Sequence, residues 1–343
     1  MRRDVGAVVG VVVIAAMAAA GWALAGEAPT DTIMGEYAGT FTPAEGAGLK
    51  AEAKVIAEGN AAYRAALLYT PAGEGAKPVR IELTGTLKDD ELPLAGKVGD
   101  ADWKGTLAKE QLTASAEGPK GGKFDLKRTV RKSPTEGQKP PQGAIVLLPF
   151  EEGKETNLDE WANKKWLTLP DGSMQVKGGD NRTVRKFQSF QFHAEFCVPF
   201  MPDKRGQGRG NSGVYLQDRY EIQVLDSFGL VMGGGDCGAI YGKRTSSCNP
   251  CLPPLAWQTY DITFTAPKLE DGKKVKPAMV TILLNGLAIH DNVAIEGTTG
   301  GASGKEGEPG SIRLQDHGNP MRFRNIWIVE RKDEGEAKPA EPK

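Results

Sequence analysis

Three short stretches of the sequence carry side chains that could move protons. His193 and Glu195 alternate with apolar residues in "QFHAEF", and Glu221 follows the same pattern in "YEIQV". His317 lies in "QDHGNP", where glycine and proline predict a turn at the end of a strand. Imidazole and carboxylate groups serve as general acids and bases. We therefore take His317, Glu221 and Glu195 as the candidate catalytic residues.

Hydrogen-bonding side chains surround these candidates. In "NSGVYLQDRYEIQVLDSFG", which starts at Asn211, the polar residues share one strand face and the apolar residues share the other. The polar rows contain no lysine, which a solvated strand face usually carries, although a merely wet face remains the alternative. If the strands pair in one sheet, these side chains form one sugar-binding surface. The candidate substrate-binding residues are His193, Tyr215, Gln217, Gln223, Gln315, Asp316, Arg322, Arg324 and Trp257.

Several neighbouring residues have alternative roles. Asp226 falls on the apolar side by parity, so we expect it to cap the following turn. Asp316 would orient His317 or bind the turn backbone, and Trp257 would stack on a sugar or fill the core. His290 follows a hairpin strand and is expected at the surface.

A divalent metal is possible in such a site, although no cofactor is predicted with certainty. The plausible ligands would be Glu195, Glu221, His193 and His317. Their positions show no recognisable metal-ligand spacing.

The elements that must position these residues are short strands. Alternating runs separated by Gly, Pro and Asn turns predict an all-β chain. Residues 31–131 are predicted to form a small antiparallel β domain without catalytic features, and the Pro- and Gly-rich segment 132–143 a linker. Residues 144–330 contain the candidate site and read as a sandwich or jelly roll. The tail 331–343 is predicted to be disordered and the Gly-rich loop 297–310 to be flexible.

The N-terminus predicts export. Two arginines precede an apolar run over residues 5–24, and the small-x-small pattern ending at Ala25 is typical of a signal-peptidase site. Residues 1–25 are therefore predicted to be a signal peptide, with a retained membrane anchor as the alternative. The expected location is secreted, periplasmic or in the cell envelope. The formal net charge of −1 gives no electrostatic reason to expect a nucleic-acid partner.

Four cysteines occur in the second half of the chain. An even number in an oxidising compartment suggests disulfides, and we favour a bridge from Cys237 to Cys251 or Cys248. The spacing of the last two resembles half a zinc site, but a second pair and a nearby histidine are missing.

The motifs together resemble a known family. "GNSGVYLQDRYEIQVLDSFG", "DCGAIYG", "WQTYDITFTAP" and "RLQDHGNPMRFRNIWI" occur in order within 144–330 and resemble the 3-keto-disaccharide hydrolase family, formerly a domain of unknown function. The resemblance implies a concanavalin-like jelly roll, a secreted or periplasmic location, and 3-keto-glycoside lyase or hydratase activity. The substrate identity rests on the resemblance and not on the residue pattern.

The implied substrate explains which groups a site would need. A ketone at C3 acidifies the C2 proton, so a base can remove it and the group on C1 can leave. Water then adds across the new double bond, and the overall result is hydrolysis. Such a site needs a base near C2, an acid near the leaving oxygen and positive charge near the enolate oxygen. Arg322 and Arg324 could supply this charge or simply pair with glutamate. The alternatives are a non-catalytic carbohydrate-binding module and a structural protein of the cell envelope.

Overall fold

The computed structural model describes residues 31–331. Regular structure in this part of the chain is β-strand, apart from a 3-10 turn at Gly206–Gly208, so the all-β prediction is confirmed. Within the same span no helix has the length and apolarity that crossing a membrane requires. The predicted signal peptide and the tail beyond residue 331 lie outside the described residues.

The first part of the chain forms a closed antiparallel barrel of eight strands, in which the last strand pairs with the first. Closure leaves no sheet edge open, and alternate side chains fill the interior. Aromatic rings occupy the centre, where Phe41 and Trp103 lie 4.6 Å and 5.6 Å from the ring of Phe124. The strands are β1 (Gly35–Pro43), β2 (Leu49–Ala57), β3 (Ala62–Tyr69), β4 (Val79–Thr86), β5 (Leu92–Val98), β6 (Ala101–Ala108), β7 (Gln111–Ala116) and β8 (Gly122–Thr129).

The second part of the chain builds two principal sheets. The large sheet contains β9 (Ile145–Leu148), β10 (Leu167–Thr168), β11 (Met174–Gln175), β13 (Ser189–Cys197), β16 (Trp257–Thr265), β19 (Ala278–Leu284), β20 (Leu287–Ile295) and β22 (Arg322–Arg331). The small sheet contains β12 (Asn181–Arg182), β14 (Ser212–Leu216), β15 (Tyr220–Val224) and β21 (Arg313–Leu314), in the order β12-β21-β14-β15. A separate ribbon pairs β17 (Lys268–Glu270) with β18 (Lys273–Lys276).

The two sheets enclose one hydrophobic core. Phe192 and Phe196 of the large sheet and Val214 and Ile222 of the small sheet belong to the same cluster of buried residues. Because side chains alternate along a strand, the polar residues between them point away from this core. The polar face of the large sheet and the polar face of the small sheet are therefore opposite outer surfaces of this part of the protein.

The predicted linker does more than connect the two parts. Its residues 133–138, which we call the strap, lie across the polar face of the large sheet. The hydroxyl of Thr135 donates to Asp261 at 2.6 Å, and the backbone nitrogen of Gly137 donates to Glu195 at 2.6 Å. Glu136 forms an ion pair with Arg324 at 3.0 Å. The strap thus covers candidate residues that the sequence placed on an open surface.

The turn after β15 joins the second part to the barrel. Phe228 is 1% exposed and belongs to the hydrophobic cluster of the barrel. Asp226 accepts a hydrogen bond from the backbone nitrogen of Phe228 at 3.3 Å, which is the capping role that its parity predicted. Its other oxygen pairs with Arg209 at 2.6 Å, and Arg209 also donates to the carbonyl oxygen of Ala57 in the barrel.

Candidate functional site

The structure divides the predicted site residues between the two outer faces. The condition that their strands pair in one sheet is not met, because β13, β16 and β22 belong to the large sheet and β14, β15 and β21 to the small sheet. His193, Glu195, Arg322, Arg324 and Trp257 belong to the large sheet. Tyr215, Glu221 and Gln223 are on the small sheet, followed by Gln315, Asp316 and His317 after β21. Glu195 and Glu221 therefore do not share a pocket.

On the large sheet the two predicted titratable residues are enclosed. His193 and Glu195 are both 0% exposed. Asp261, which sequence reasoning missed, lies 2.7 Å from Nδ1 of His193, and Asn325 donates to Glu195 at 2.7 Å. The pairing of Asp261 with His193 follows from strand register across β13 and β16, which no local sequence signal specifies.

Electrostatics stabilise the charged forms of this pair. Burial lowers the pKa of His193, but the hydrogen bonds with Asp261 and Glu195 outweigh it, so the net pKa is raised. Burial raises the pKa of Glu195, but hydrogen bonds from His193 and Asn325 and the charge of Arg324 bring it below its ordinary value. Under the strap, these contacts favour the protonated form of His193 and the ionised form of Glu195.

The arginines and the tryptophan of this face are also engaged. Arg324 pairs with Glu195 at 2.6 Å and its guanidinium lies 4.1 Å from the centre of the Trp257 ring. Arg322 pairs with Asp171 at 2.9 Å. The predicted roles of Trp257 as a sugar platform and of the arginines as enolate partners are not supported, because each already has protein partners and the strap lies over the face.

On the small sheet the candidate residues form a regular array. Strand pairing sets Arg313, Tyr215 and Glu221 directly opposite one another across β21, β14 and β15. In the next row Gly213 lies opposite Gln223. A Cβ atom at Gly213 would come within 2.5 Å of Oε1 of Glu221, so the glycine leaves the space that this carboxyl group occupies. Sequence reasoning named Tyr215 and Glu221 but missed Arg313 as their neighbour.

Glu221 has the properties of a general base. It is 3% exposed, and its Oε2 accepts a hydrogen bond from the Tyr215 hydroxyl at 2.8 Å. Burial raises the pKa of Glu221 to about 7, although Tyr215 and the charge of Arg313 oppose the shift. Arg313 stacks on the Tyr215 ring with 3.6 Å from its guanidinium carbon to the ring centre. A carboxyl group with a pKa near neutral pH is half ionised there and exchanges protons readily.

Residues 143–329, more than half of the chain, match the family model of a 3-keto-α-glucoside-1,2-lyase-like domain. The chain belongs to this family. The match confirms the resemblance drawn from the motifs.

Solved structures also resemble the chain. A structure from Parabacteroides distasonis described as a "putative glycosyl hydrolase" is 35% identical, with a TM-score of 0.50. The similarity covers 56% of this chain and 85% of that chain. A second structure from the same organism, described in the same words, is 18% identical over 59% of this chain and 99% of that chain, with a TM-score of 0.40, and adds no argument. No curated protein matches the chain.

Within the family domain, two loops cover the Glu221 face. In the 232–242 loop, the carbonyl oxygen of Gly235 accepts from the Gln223 side-chain amide at 3.2 Å. In the 297–304 loop, the carbonyl oxygen of Gly300 accepts from the Tyr215 hydroxyl at 3.2 Å, and the carbonyl oxygen of Gly301 accepts from Arg313 at 2.7 Å. The face is thus closed in this structure. The flexibility predicted for 297–310 stays a prediction.

The remaining candidates of the small sheet have separate roles. Gln217 is not on the strand face, because it and Asp218 have φ values of 54° and 59° and form the hairpin turn. Its amide donates to the carbonyl oxygens of Phe187 and Gln188, so the predicted sugar contact is wrong. Gln315 lies 3.4 Å from the Tyr215 hydroxyl.

At the end of β21, His317 and Asp316 do not act as a pair. Asp316 accepts from the backbone nitrogens of Gly179 and Gly318, which is the turn-binding alternative. His317 is exposed. His290, expected at the surface, is instead 3% exposed and hydrogen-bonded to the carbonyl oxygen of Gly238 at 2.8 Å.

The proposed metal ligands do not come together. His193 and Glu195 lie on the face opposite Glu221, so the four-residue set is wrong. Among residues 31–331 no three His, Cys, Asp or Glu side chains are grouped so as to hold a metal ion.

The cysteines are free thiols in this structure. Cys237 and Cys251 are buried and their side chains interact, whereas Cys248 is exposed. The favoured disulfide is not shown and stays a prediction.

Proposed function

We propose that the protein is an exported enzyme that cleaves 3-keto glycosides by elimination and rehydration, with Glu221 as the base. The observation that carries the proposal is the buried Glu221 carboxyl group, whose pKa is about 7 and which Tyr215 orients. Membership of the lyase-like family and the likeness to a structure described as a glycosyl hydrolase support a carbohydrate substrate. The concanavalin-like jelly roll and the export by residues 1–25 are part of the same proposal.

In the proposed reaction, the ionised Glu221 takes the proton from C2, and the electron pair is delocalised into the C3 ketone as an enolate. When the enolate collapses, a double bond forms between C1 and C2 and the C1–O bond breaks. The leaving oxygen takes a proton, and water then adds to the double bond to give the free 3-keto sugar.

Tyr215 and His317 assist Glu221 in this proposal. The Tyr215 hydroxyl is held neutral because burial and the Glu221 charge raise its pKa, so it serves as a hydrogen-bond donor that fixes the carboxyl group. His317 is exposed next to the small sheet and is the candidate acid for the leaving oxygen. The 297–304 loop must move aside to admit the sugar.

The test is turnover of a 3-keto disaccharide in D₂O, followed by NMR. We expect deuterium at C2 of the released 3-keto sugar, because elimination breaks the C2–H bond. Direct hydrolysis would leave C2 protonated, and the free 3-keto sugar incubated without enzyme corrects for spontaneous exchange.

The residue assignment is tested with a matched pair of variants. Glu221→Gln should lower kcat/KM by about 100-fold or more. Glu330→Gln, at an exposed position of β22, should leave it unchanged. Unchanged activity in a Glu221→Gln, His317→Ala double variant would refute the site. Sugar binding without turnover by the unmodified protein would indicate the non-catalytic binding module instead.

A further inference from the structure

Three side-chain amides form a network on the outer side of the small sheet. Gln223 shares the face of Glu221, and Asn211 precedes β14 with the same parity as Tyr215. Gln207 belongs to the 3-10 turn at Gly206–Gly208 and is exposed. Both Gln223 and Asn211 are 1% exposed. The network therefore begins at the protein surface and ends next to Glu221.

Carbonyl groups of the protein accept the hydrogen bonds that the amide nitrogens donate. Gln223 donates to Oε1 of Gln207 at 2.9 Å and to the carbonyl oxygen of Gly235 at 3.2 Å. Asn211 donates to the carbonyl oxygen of Gln207 at 2.8 Å and to its Oε1 at 3.1 Å. Gln207 itself donates to the carbonyl oxygen of Gly235 at 2.8 Å.

This pattern fixes the orientation of the two buried amides. If the Gln223 or the Asn211 amide were reversed, its oxygen would face the acceptor oxygens of Gln207 and Gly235, which is repulsive. The two amide nitrogens contact the same oxygen of Gln207, so the two groups are immediate neighbours.

The amide oxygens of these two residues have no hydrogen-bond partner. Oε1 of Gln223 and Oδ1 of Asn211 are buried and unsatisfied. Leaving one such group without a partner costs about 1–3 kcal/mol, and folded proteins rarely leave two side by side. A partner that satisfies them must supply two donors, because both atoms are acceptors only.

We propose that Gln223 and Asn211 form a subsite that binds two hydroxyl groups of the substrate sugar as hydrogen-bond donors. This rests on the proposed function, because the subsite adjoins the proposed base. Its consequence is a specificity rule: a hydroxyl group fits the subsite, whereas a ketone or a carboxylate is an acceptor and is rejected. The oxidised carbon of a 3-keto sugar must therefore point away from Gln223, and uronic acids are excluded from this position.

The experiment measures binding of a 3-keto disaccharide and its monodeoxy analogues to the Glu221→Gln variant, in which turnover is slow enough for binding to be measured first. We expect at least one analogue to bind about tenfold more weakly than the parent sugar, since it lacks a donor. In the Glu221→Gln protein that also carries Gln223→Leu, the analogue that lacks the hydroxyl bound by Gln223 and the parent should bind equally. Gln191→Leu, at an exposed position of the large sheet, is the control and should retain the full difference.

Two outcomes overturn the subsite. All analogues could bind within about twofold of the parent, which would mean that water alone satisfies the two oxygens. Alternatively, every deoxy penalty could persist unchanged in the Gln223→Leu protein, which would mean that Gln223 binds no hydroxyl group. Neither result depends on catalysis. Deoxy penalties without C2 deuteration would refute the proposed reaction and leave the subsite standing.

Discussion

The raised pKa of Glu221 has a consequence for stability that can be measured without a substrate. An unfolded glutamate ionises near its ordinary pKa of 4.5, whereas the folded carboxyl group stays neutral until about pH 7. Because the folded pKa is the higher one, stability decreases as the pH rises from 4.5 to about 7 and is constant above that. The difference between these two pKa values corresponds to about 3 kcal/mol.

Glu221→Gln should remove this loss, because an amide resembles the protonated carboxyl group and does not ionise. The free energy of unfolding of the variant minus that of the wild type should therefore increase by about 3 kcal/mol between pH 4.5 and pH 7.5. Urea unfolding of both proteins across this range measures the difference, and contributions from other titrating groups cancel. Glu330→Gln is the exposed control and should show no such trend.

A second measurement locates the proton directly. NMR titration of ¹³C-labelled glutamate carboxyl groups should show one resonance with a midpoint near pH 7 that is absent in Glu221→Gln. A difference in unfolding free energy that is constant from pH 4.5 to 7.5, together with no such resonance, would refute both the burial argument and the proposed base.

Three further substitutions test how the structure holds the site. Gly213→Ala places a Cβ atom 2.5 Å from Oε1 of Glu221. We therefore expect the free energy of unfolding, measured with urea, to fall by about 1–3 kcal/mol and kcat/KM to decrease. Wild-type activity would contradict the packing argument. Phe228→Ala leaves a cavity in the barrel cluster and should lower the free energy of unfolding by about 3–5 kcal/mol. Proteolysis between the two parts of the chain should become faster, and an unchanged rate would contradict the docking role of Phe228. Glu195→Gln removes the fully buried one of the two carboxylates that pair with Arg324, leaving only Glu136, and should cost about 3–5 kcal/mol at neutral pH. Because the pKa of Glu195 is lowered, its stabilisation is present above pH 4.5 and is lost as the pH falls through the lowered value, so a cost that persists in acid would contradict the reasoning.

The alternation of polar and apolar residues was sufficient to predict the strands and most of the residues on the polar face of the small sheet. Alternation placed Tyr215, Glu221 and Gln223 on one side and correctly assigned Asp226 to the other. It failed at Gln217, because the hairpin turn begins at this residue and takes it off the strand. Turn positions depend on backbone conformations that Gln-Asp does not specify strongly.

Long-range contacts account for the larger errors. Which strands share a sheet cannot be read from alternation, since each strand has the same two-residue period whichever partner it pairs with. Glu195 and Glu221 therefore had the same signature although they point in opposite directions. The position of the strap could not be predicted either, because a Pro- and Gly-rich segment indicates a linker whether or not it lies across a sheet.

By itself, the sequence determined that this protein is built of β-strands, which residues of each strand are polar, and that it belongs to its family. These properties depend on the local period of the chain and on motifs that are contiguous in sequence. Only the tertiary structure decided that the large-sheet face is an enclosed ion cluster and that the small-sheet face carries a base with a pKa of about 7. The physical reason is that burial, hydrogen-bond partners and pKa arise from segments distant in sequence, such as the strap at 133–138 and the loop at 297–304, which meet these strands only in the folded protein.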